Sequence, residues 1–262
     1  MNCKVCSDSK ARIKHQYPGS PYWICLQCGL MYQDPMPPKK YEASEEKGPD
    51  GRSAGANISA KDKAVIENFA RAWYQNYLSK IPANHFSGTT IRTLDIGSKY
   101  PYFAHILKKE LKCEAYGIDA LDLDDPSKDS IVMEYAKELD VEMLLVDFEK
   151  ISPDQIIEKT TGGKEFEGVS MIHVFEHIYD PKQALWDVSM LLRSGGSFLI
   201  RVPSSDVMGY EKHLSSRHYP IHPFFYSEKS FKNLLHVSGA PFDLVETYGM
   251  GQGNRDFVLK RL

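Results

Sequence analysis

From Ser59 onward, short apolar runs alternate with segments of helical periodicity, and no other feature constrains the fold as tightly. A strand that returns parallel to its predecessor needs a covering crossover, so strand–helix alternation leads to a mostly parallel sheet with helices on both faces. Ser59-x-x-Asp62 is a helix start, after which Val65, Ile66, Phe69, Trp73 and Tyr77 recur at helical spacing. The pattern predicts strands at Ile91–Ile96, Ala115–Asp119, Val141–Val146, Val169–Val174 and Ser197–Val202, with helices over Tyr102–Lys109 and near Ile131–Leu139. Asp180-Pro181 opens another helix as cap and first residue, lined by Leu185, Val188 and Leu192 and expected to stop at Gly195-Gly196. Ser227 caps a helix carrying Phe231, Leu234 and Leu235, ended by Gly239. Phe242–Thr247 and Asp256–Leu259 are joined by a connection too short for a crossover and must pair antiparallel.

Such a sheet binds ligands outside the carboxyl ends of its strands. The strands end in Asp95-Ile96-Gly97, Gly117-Ile118-Asp119, Asp147-Phe148 and His173-Val174-Phe175-Glu176-His177. Asp119, at the tip of the strand after Gly97, is placed to accept both hydroxyls of a ribose. Asp147 could accept from the exocyclic amine of a purine, with Phe148 against the ring.

The first 28 residues hold four of the five cysteines, as Cys3-x2-Cys6 and Cys25-x2-Cys28. Each pair lets one tight turn aim two thiolates at a common centre, and two pairs complete the tetrahedron that Zn2+ favours. Four thiolates leave no open position, so this metal should support structure and perform no chemistry. Cys113 sits in an apolar-leaning strand and is expected in the core. Residues 1–33 carry Lys4, Lys10, Arg12 and Lys14 against Asp8, a surplus that the zinc tetrathiolate largely cancels, too little for a surface that tracks phosphates. The aromatics there, Tyr17, Tyr22, Trp23 and Tyr32, could stack on bases or a substrate ring but are expected to cover the metal. The proline-rich and polar stretch that follows gives the division 1–33 zinc module, 34–58 linker or flap and 59–262 main domain.

Across 262 residues, 32 Lys+Arg stand against 35 Asp+Glu, a net charge of -3 that argues against a nucleic-acid coat or an anionic-membrane binder. No apolar run approaches the ~18 residues of a membrane span. Met1-Asn2-Cys3-Lys4 lacks the apolar stretch of a secretory signal, so a cytoplasmic location is expected. Other motifs fail: Thr161-Gly162-Gly163-Lys164-Glu165 lacks phosphate-loop spacing, and Gly249-x-Gly251-x-Gly253 precedes no helix.

Leu94-Asp95-Ile96-Gly97, Tyr116-Gly117-Ile118-Asp119, Val174-Phe175-Glu176-His177-Ile178-Tyr179-Asp180-Pro181 and Leu191-Leu192-Arg193-Ser194-Gly195-Gly196-Ser197-Phe198-Leu199-Ile200 resemble the class I S-adenosylmethionine-dependent methyltransferases. The nearest subgroup is the one with an N-terminal zinc module that methylates sugars or other small metabolites. The resemblance covers about residues 60–262 and the zinc module, and 172–203 is its most specific part. It implies an α/β, doubly wound, seven-stranded sheet whose last strand is antiparallel, and S-adenosylmethionine as cofactor. By the same resemblance, Gly97 allows close approach of the methionine part, and Asp95 orients the first loop and the cofactor's amino group through water. Asp119 binds the ribose, Asp147 and Phe148 the adenine, and His173 faces the junction of cofactor and substrate. The family repeats glycine after the strand-one acid, whereas here Ser98, Lys99, Tyr100 and Pro101 follow Gly97, a loop either redrawn or weakened in cofactor affinity.

Methyl transfer from a sulfonium needs alignment and dryness, and a hydroxyl or carbon-acid acceptor also needs a base, for which histidine suits neutral pH. His213, His218 and His222 lie among aromatics before the Ser227 helix. No acid or thiol is close to them in sequence, so they are expected to form a substrate wall and not a metal site. A histidine five residues before the helix-opening serine lies over the active site in the resembling subgroup, which points to His222 as base or substrate orienter, ahead of His218 and His173. Glu176 is expected only to complement a helix start. The function expected is methyl transfer to a small hydroxylated or carbonyl-bearing metabolite, such as a nucleotide sugar or polysaccharide precursor, with nucleic acid disfavoured. An RNA or protein methyltransferase, or a non-catalytic binding protein on a decayed fold, are the rivals.

Overall fold

The computed structural model describes residues 2–16, 21–36, 60–81, 90–120, 126–211, 222–250 and 253–262. The N-terminal part forms β1 (Ala11–His15), β2 (Tyr22–Cys25) and β3 (Met31–Gln33). Then come α1 (Ala60–Asn76), β4 (Arg92–Ile96), α2 (Tyr102–Leu111), β5 (Glu114–Asp119), α3 (Pro126–Glu138) and β6 (Glu142–Leu145). The second half runs α4 (Pro153–Thr161), β7 (Phe166–Ile172), α5 (Pro181–Leu191), β8 (Leu192–Pro203), β9 (Phe224–Phe225), α6 (Glu228–Ser238), β10 (Phe242–Met250) and β11 (Asn254–Arg261).

The large sheet has seven strands in the order β10-β11-β8-β7-β4-β5-β6. Its central pairs, β7–β8, β4–β7, β4–β5 and β5–β6, are parallel, and β11 runs antiparallel between β8 and β10. This is the expected α/β architecture with its antiparallel last strand. Alternation along the central strands feeds two cores. Phe198, Ile200, Val202, Phe257 and Leu259 face α5 and α6 with Leu185, Val188, Phe231 and Leu234. Leu199 and Val258 face the other side with Trp73, Phe103 and Leu107. Cys113 is buried in that second core, where burial pushes its thiol up to about 12.

Local chemistry sets the boundaries. Asp180 and Ser227 cap their helices by accepting from the Gln183 and Ser230 amides, and Gly239 closes α6 in a left-handed conformation. Three details differ from expectation. Val65 is 48% exposed, so the buried stripe of α1 is narrower than its apolar spacing suggests. Helix α4 was not expected, although Ser152 and Gln155 form a full capping box at its start. Gly195-Gly196 does not stop α5, which ends at Leu191 and passes directly into β8. The glycines instead sit in that strand where its register against β7 shifts. Gly195 has φ +77°, and a Cβ on Gly196 would lie 2.9 Å from the Arg193 carbonyl.

The smaller sheet has the order β1-β2-β3-β9. Its fourth strand comes from about two hundred residues downstream: Met31 and Tyr32 pair with Phe225 and Phe224, and the Gln33 amide donates to the Pro223 carbonyl at 3.0 Å. Among the described residues no helix is long and apolar enough to cross a membrane.

Candidate active site

Because β7, β4, β5 and β6 are consecutive neighbours, Asp95, Asp119, Asp147 and His173 all lie along one edge of the sheet. Gly97 has φ +76°, and a Cβ there would lie 2.2 Å from Val174 Cγ2, so only glycine closes this turn against the end of β7. The redrawn loop after it is well anchored. Ser98 Oγ donates to Asp95 Oδ2 at 2.6 Å, and Ser170 Oγ donates to Asp95 Oδ1 at 2.6 Å. Serine in place of glycine thus fixes the rotamer of the strand-one acid. Tyr100 packs edge-on against Tyr135, 4.8 Å between ring centroids, and Pro101 leads into α2.

Burial pushes the Asp95 carboxyl up to about 6; the Ser170 and Ser98 hydroxyls oppose the rise and the Asp119 charge adds to it. Asp119 accepts from the Lys99 amide and, at 2.8 Å, from the Ala120 amide. Asp147 accepts from the Glu149 amide at 3.1 Å and pairs with Lys150 at 3.1 Å. The Phe148 ring is buried in the core beside α4 and α5.

His173 follows β7 at φ 58°, a left-handed conformation uncommon outside glycine and concentrated at functional sites. Its Nδ1 lies 3.5 Å from Glu176 Oε1. Glu176 was expected to be a helix-terminal charge but is fully buried, and neither carboxylate oxygen accepts a hydrogen bond from the described residues. His222 Nε2 is 4.0 Å from the same Oε1, and the His177 and His222 rings stand 4.9 Å apart. Burial alone would raise the Glu176 carboxyl; the His173, His177 and His222 imidazoles outweigh it and hold the group below its usual range. The expectation that no acid accompanies His222 is therefore overturned, because the fold brings in Glu176 and His177 from 46 and 45 residues upstream. His-x-x-Glu-His was the available signal: residues three and four apart share one face of a helical turn. His213 and His218 lie outside the described residues.

His222 is delivered by the small sheet. Tyr22 Oη donates to the His222 carbonyl at 2.8 Å, and the Phe225 ring lies edge-on to both Tyr22 and His222, 5.5 and 5.9 Å away. Behind this seam the four cysteines converge, with their sulfurs all within 4.8 Å of one another. Cys3–Cys28 and Cys6–Cys25 are each separated by 3.5 Å. That is far beyond the ~2.05 Å of a disulfide and close to the ~3.8 Å edge of a zinc tetrathiolate. The donors therefore fit zinc. Of the four aromatics, Tyr32 is buried in the same core as Cys3, Cys25 and Cys28 with Trp23 packed against that core, whereas Tyr22 packs on Met31, Tyr210 and Phe225; Tyr17 lies outside the described residues.

A family model described as a methyltransferase domain matches residues 65–246. Among solved structures, a chain in the complex of the Haloferax volcanii Trm112 methyltransferase activator with a methyltransferase is similar at 14% identity. That match covers 79% of this chain and 96% of that one, with a TM-score of 0.52. The PH0226 protein from Pyrococcus horikoshii OT3 is similar at 15% identity, over 78% of this chain and 92% of its own, with a TM-score of 0.52. The N-terminal domain of EvdMO1 with S-adenosylhomocysteine bound matches at 15% identity, over 80% and 84% of the two chains, with a TM-score of 0.50. These likenesses concern the fold. No curated protein matches the sequence.

Proposed function

The chain belongs to the methyltransferase-domain family and is an S-adenosylmethionine-dependent methyltransferase, and from that premise we propose that its acceptor is a hydroxyl of a small, sugar-like metabolite such as a nucleotide sugar. The observation that carries this reading is the imidazole–carboxylate group at the end of β7, beside the strand-end acids. A sulfonium methyl needs no activation, whereas a hydroxyl does, and His173, Glu176, His177 and His222 are the kind of groups that align such an oxygen and draw on its proton. His222 orients the acceptor or takes its proton, with His173 on the cofactor side and His218 as a further candidate. On the cofactor side, Gly97 gives the methionine part close access to the backbone. Asp95 holds its amino group through water, Asp119 the ribose, and Asp147 with Phe148 the adenine.

S-adenosylmethionine, when bound, supplies the electrophilic methyl; the side chains supply position and dryness. Zn2+ on Cys3, Cys6, Cys25 and Cys28 supports β2 and β3 and, through them, the strand carrying His222. In our division, residues 1–33 are the zinc module, 34–58 a linker or flap and 59–262 the catalytic domain. The buried Tyr22 and Tyr32 and the weak charge of the module disfavour a nucleic-acid acceptor.

The cofactor half is tested by calorimetry, where Asp119→Ala should weaken S-adenosylhomocysteine binding at least tenfold; unchanged affinity would move the pocket elsewhere. The acceptor half is tested by incubating enzyme and cofactor with nucleotide sugars, RNA and protein substrates. Methyl incorporation into a nucleotide sugar supports the reading, and incorporation into RNA or protein alone overturns it.

A further inference from the structure

Among the described residues, Glu176 is the one buried carboxylate with neither oxygen in a hydrogen bond. A fully buried carboxylate that accepts no hydrogen bond from the described residues carries a desolvation cost of several kcal/mol unless a cation offsets it. Imidazoles surround it: His173 Nδ1 lies 3.5 Å and His222 Nε2 4.0 Å from its Oε1. The ligand atoms of Glu176, His177 and His222 all lie within 4.8 Å of one another. Donors bound at ~2.1 Å to one tetrahedral metal ion stand about 3.4 Å apart, so closure asks for small side-chain rotations and no backbone movement.

We propose that Glu176, His177 and His222 form a second metal site, separate from the cysteines, that binds a divalent transition-metal ion through two imidazoles and one carboxylate. The two sites differ in kind. Four thiolates saturate a tetrahedral ion, whereas three donors leave positions open for water or a substrate oxygen. The mixed nitrogen–oxygen set favours a transition metal over magnesium, which prefers oxygen ligands throughout. His177 and His222 are only part-buried, so solvent reaches the metal-binding side while Glu176 anchors it from below.

The site's existence is independent of the acceptor assigned above; its use in catalysis rests on that assignment. With the ion in place, the acceptor hydroxyl occupies an open position and its pKa falls. The oxygen lone pair then attacks the methyl carbon. The carbon–sulfur bond breaks with its electron pair passing to sulfur, and the hydroxyl proton leaves to bulk water. His222 then acts as ligand, which accounts for its place in the site without assigning it the proton.

Co2+ alone is the probe, added to full-length protein whose cysteine site already holds zinc. Cobalt on imidazole and carboxylate gives weak visible bands, whereas cobalt on thiolates adds strong near-ultraviolet charge-transfer bands, so the spectrum reports which site is entered. One equivalent should bind with the visible bands only, and both Glu176→Gln and His177→Gln should weaken it at least tenfold. His177 is part-buried, so its variant keeps the test open should Glu176→Gln misfold. No uptake by the parent protein, uptake only with thiolate bands, or equal affinity in a folded His177→Gln protein overturns the proposal. S-adenosylhomocysteine calorimetry on the same samples separates the two readings. Cofactor binding without cobalt uptake removes this site and leaves methyl transfer standing, and the reverse result keeps the site and removes the acceptor reading.

Discussion

At Gly97 two demands coincide, a left-handed backbone and contact with Val174, so Gly97→Ala strains the turn and overpacks it at once. The expected loss is about 2–5 kcal/mol in denaturant unfolding, with weakened S-adenosylhomocysteine binding. Asp95 makes a different kind of prediction. Its carboxyl is raised to about 6 in the folded chain, above the ordinary ~3.9, so the folded state holds this proton more tightly than the unfolded state. Its contribution to stability is therefore greatest below about pH 4 and is lost as pH rises through about 6, a change of roughly 3 kcal/mol. Comparing unfolding of the parent and Asp95→Asn proteins across that interval should show the dependence only in the parent. If Asp95 holds the cofactor's amino group as proposed, cofactor affinity should run the opposite way, falling below about pH 6 as its anion is neutralised.

At the scale of elements, caps and periodicity made most of the large domain legible, because Asp180, Ser227 and Gly239 punctuate their helices by local chemistry alone. What escaped was decided by tertiary context. Gly195-Gly196 has the composition of a helix stop, yet the pairing of β8 with β7 absorbed both glycines into a strand. Helix α4 opens on the Ser152–Gln155 capping box and buries Ile156 and Ile157, a start written in local chemistry within a span of only nine residues. Strand β9 has only two residues, below any periodicity, and exists because β3 offers it an edge. The acids and His222 were legible from strand order and family resemblance. Glu176 and His177 were not joined to His222, because sequence separation hides a meeting that only the sheet arranges. Phe225, fully buried at the seam, tests that meeting. Phe225→Ala should cost about 3–5 kcal/mol and lower turnover far more than S-adenosylhomocysteine affinity, a split visible when calorimetry and kinetics are run on the same preparation.

At the scale of the whole molecule, the cysteine module has no interior of its own. Cys3, Val5, Cys25, Cys28, Leu30 and Tyr32 belong to the same core as Phe175, Tyr226, Phe231 and Phe257. Stripping the metal from the four thiolates should therefore lower the melting temperature of the entire chain in a single calorimetric transition, by about 10–20 °C if ~5 kcal/mol is lost. An early, separate transition would mean that the module melts by itself.

The strand borrowed from positions 224 and 225 has one more consequence, which concerns biogenesis. Synthesis delivers the cysteine-bearing segment about two hundred residues before the strand that completes its sheet. The head must wait, thiols in hand, for the tail to arrive, and a long-range contact of this kind comes late in folding. Excising residues 1–33 would leave behind the strand that completes their sheet.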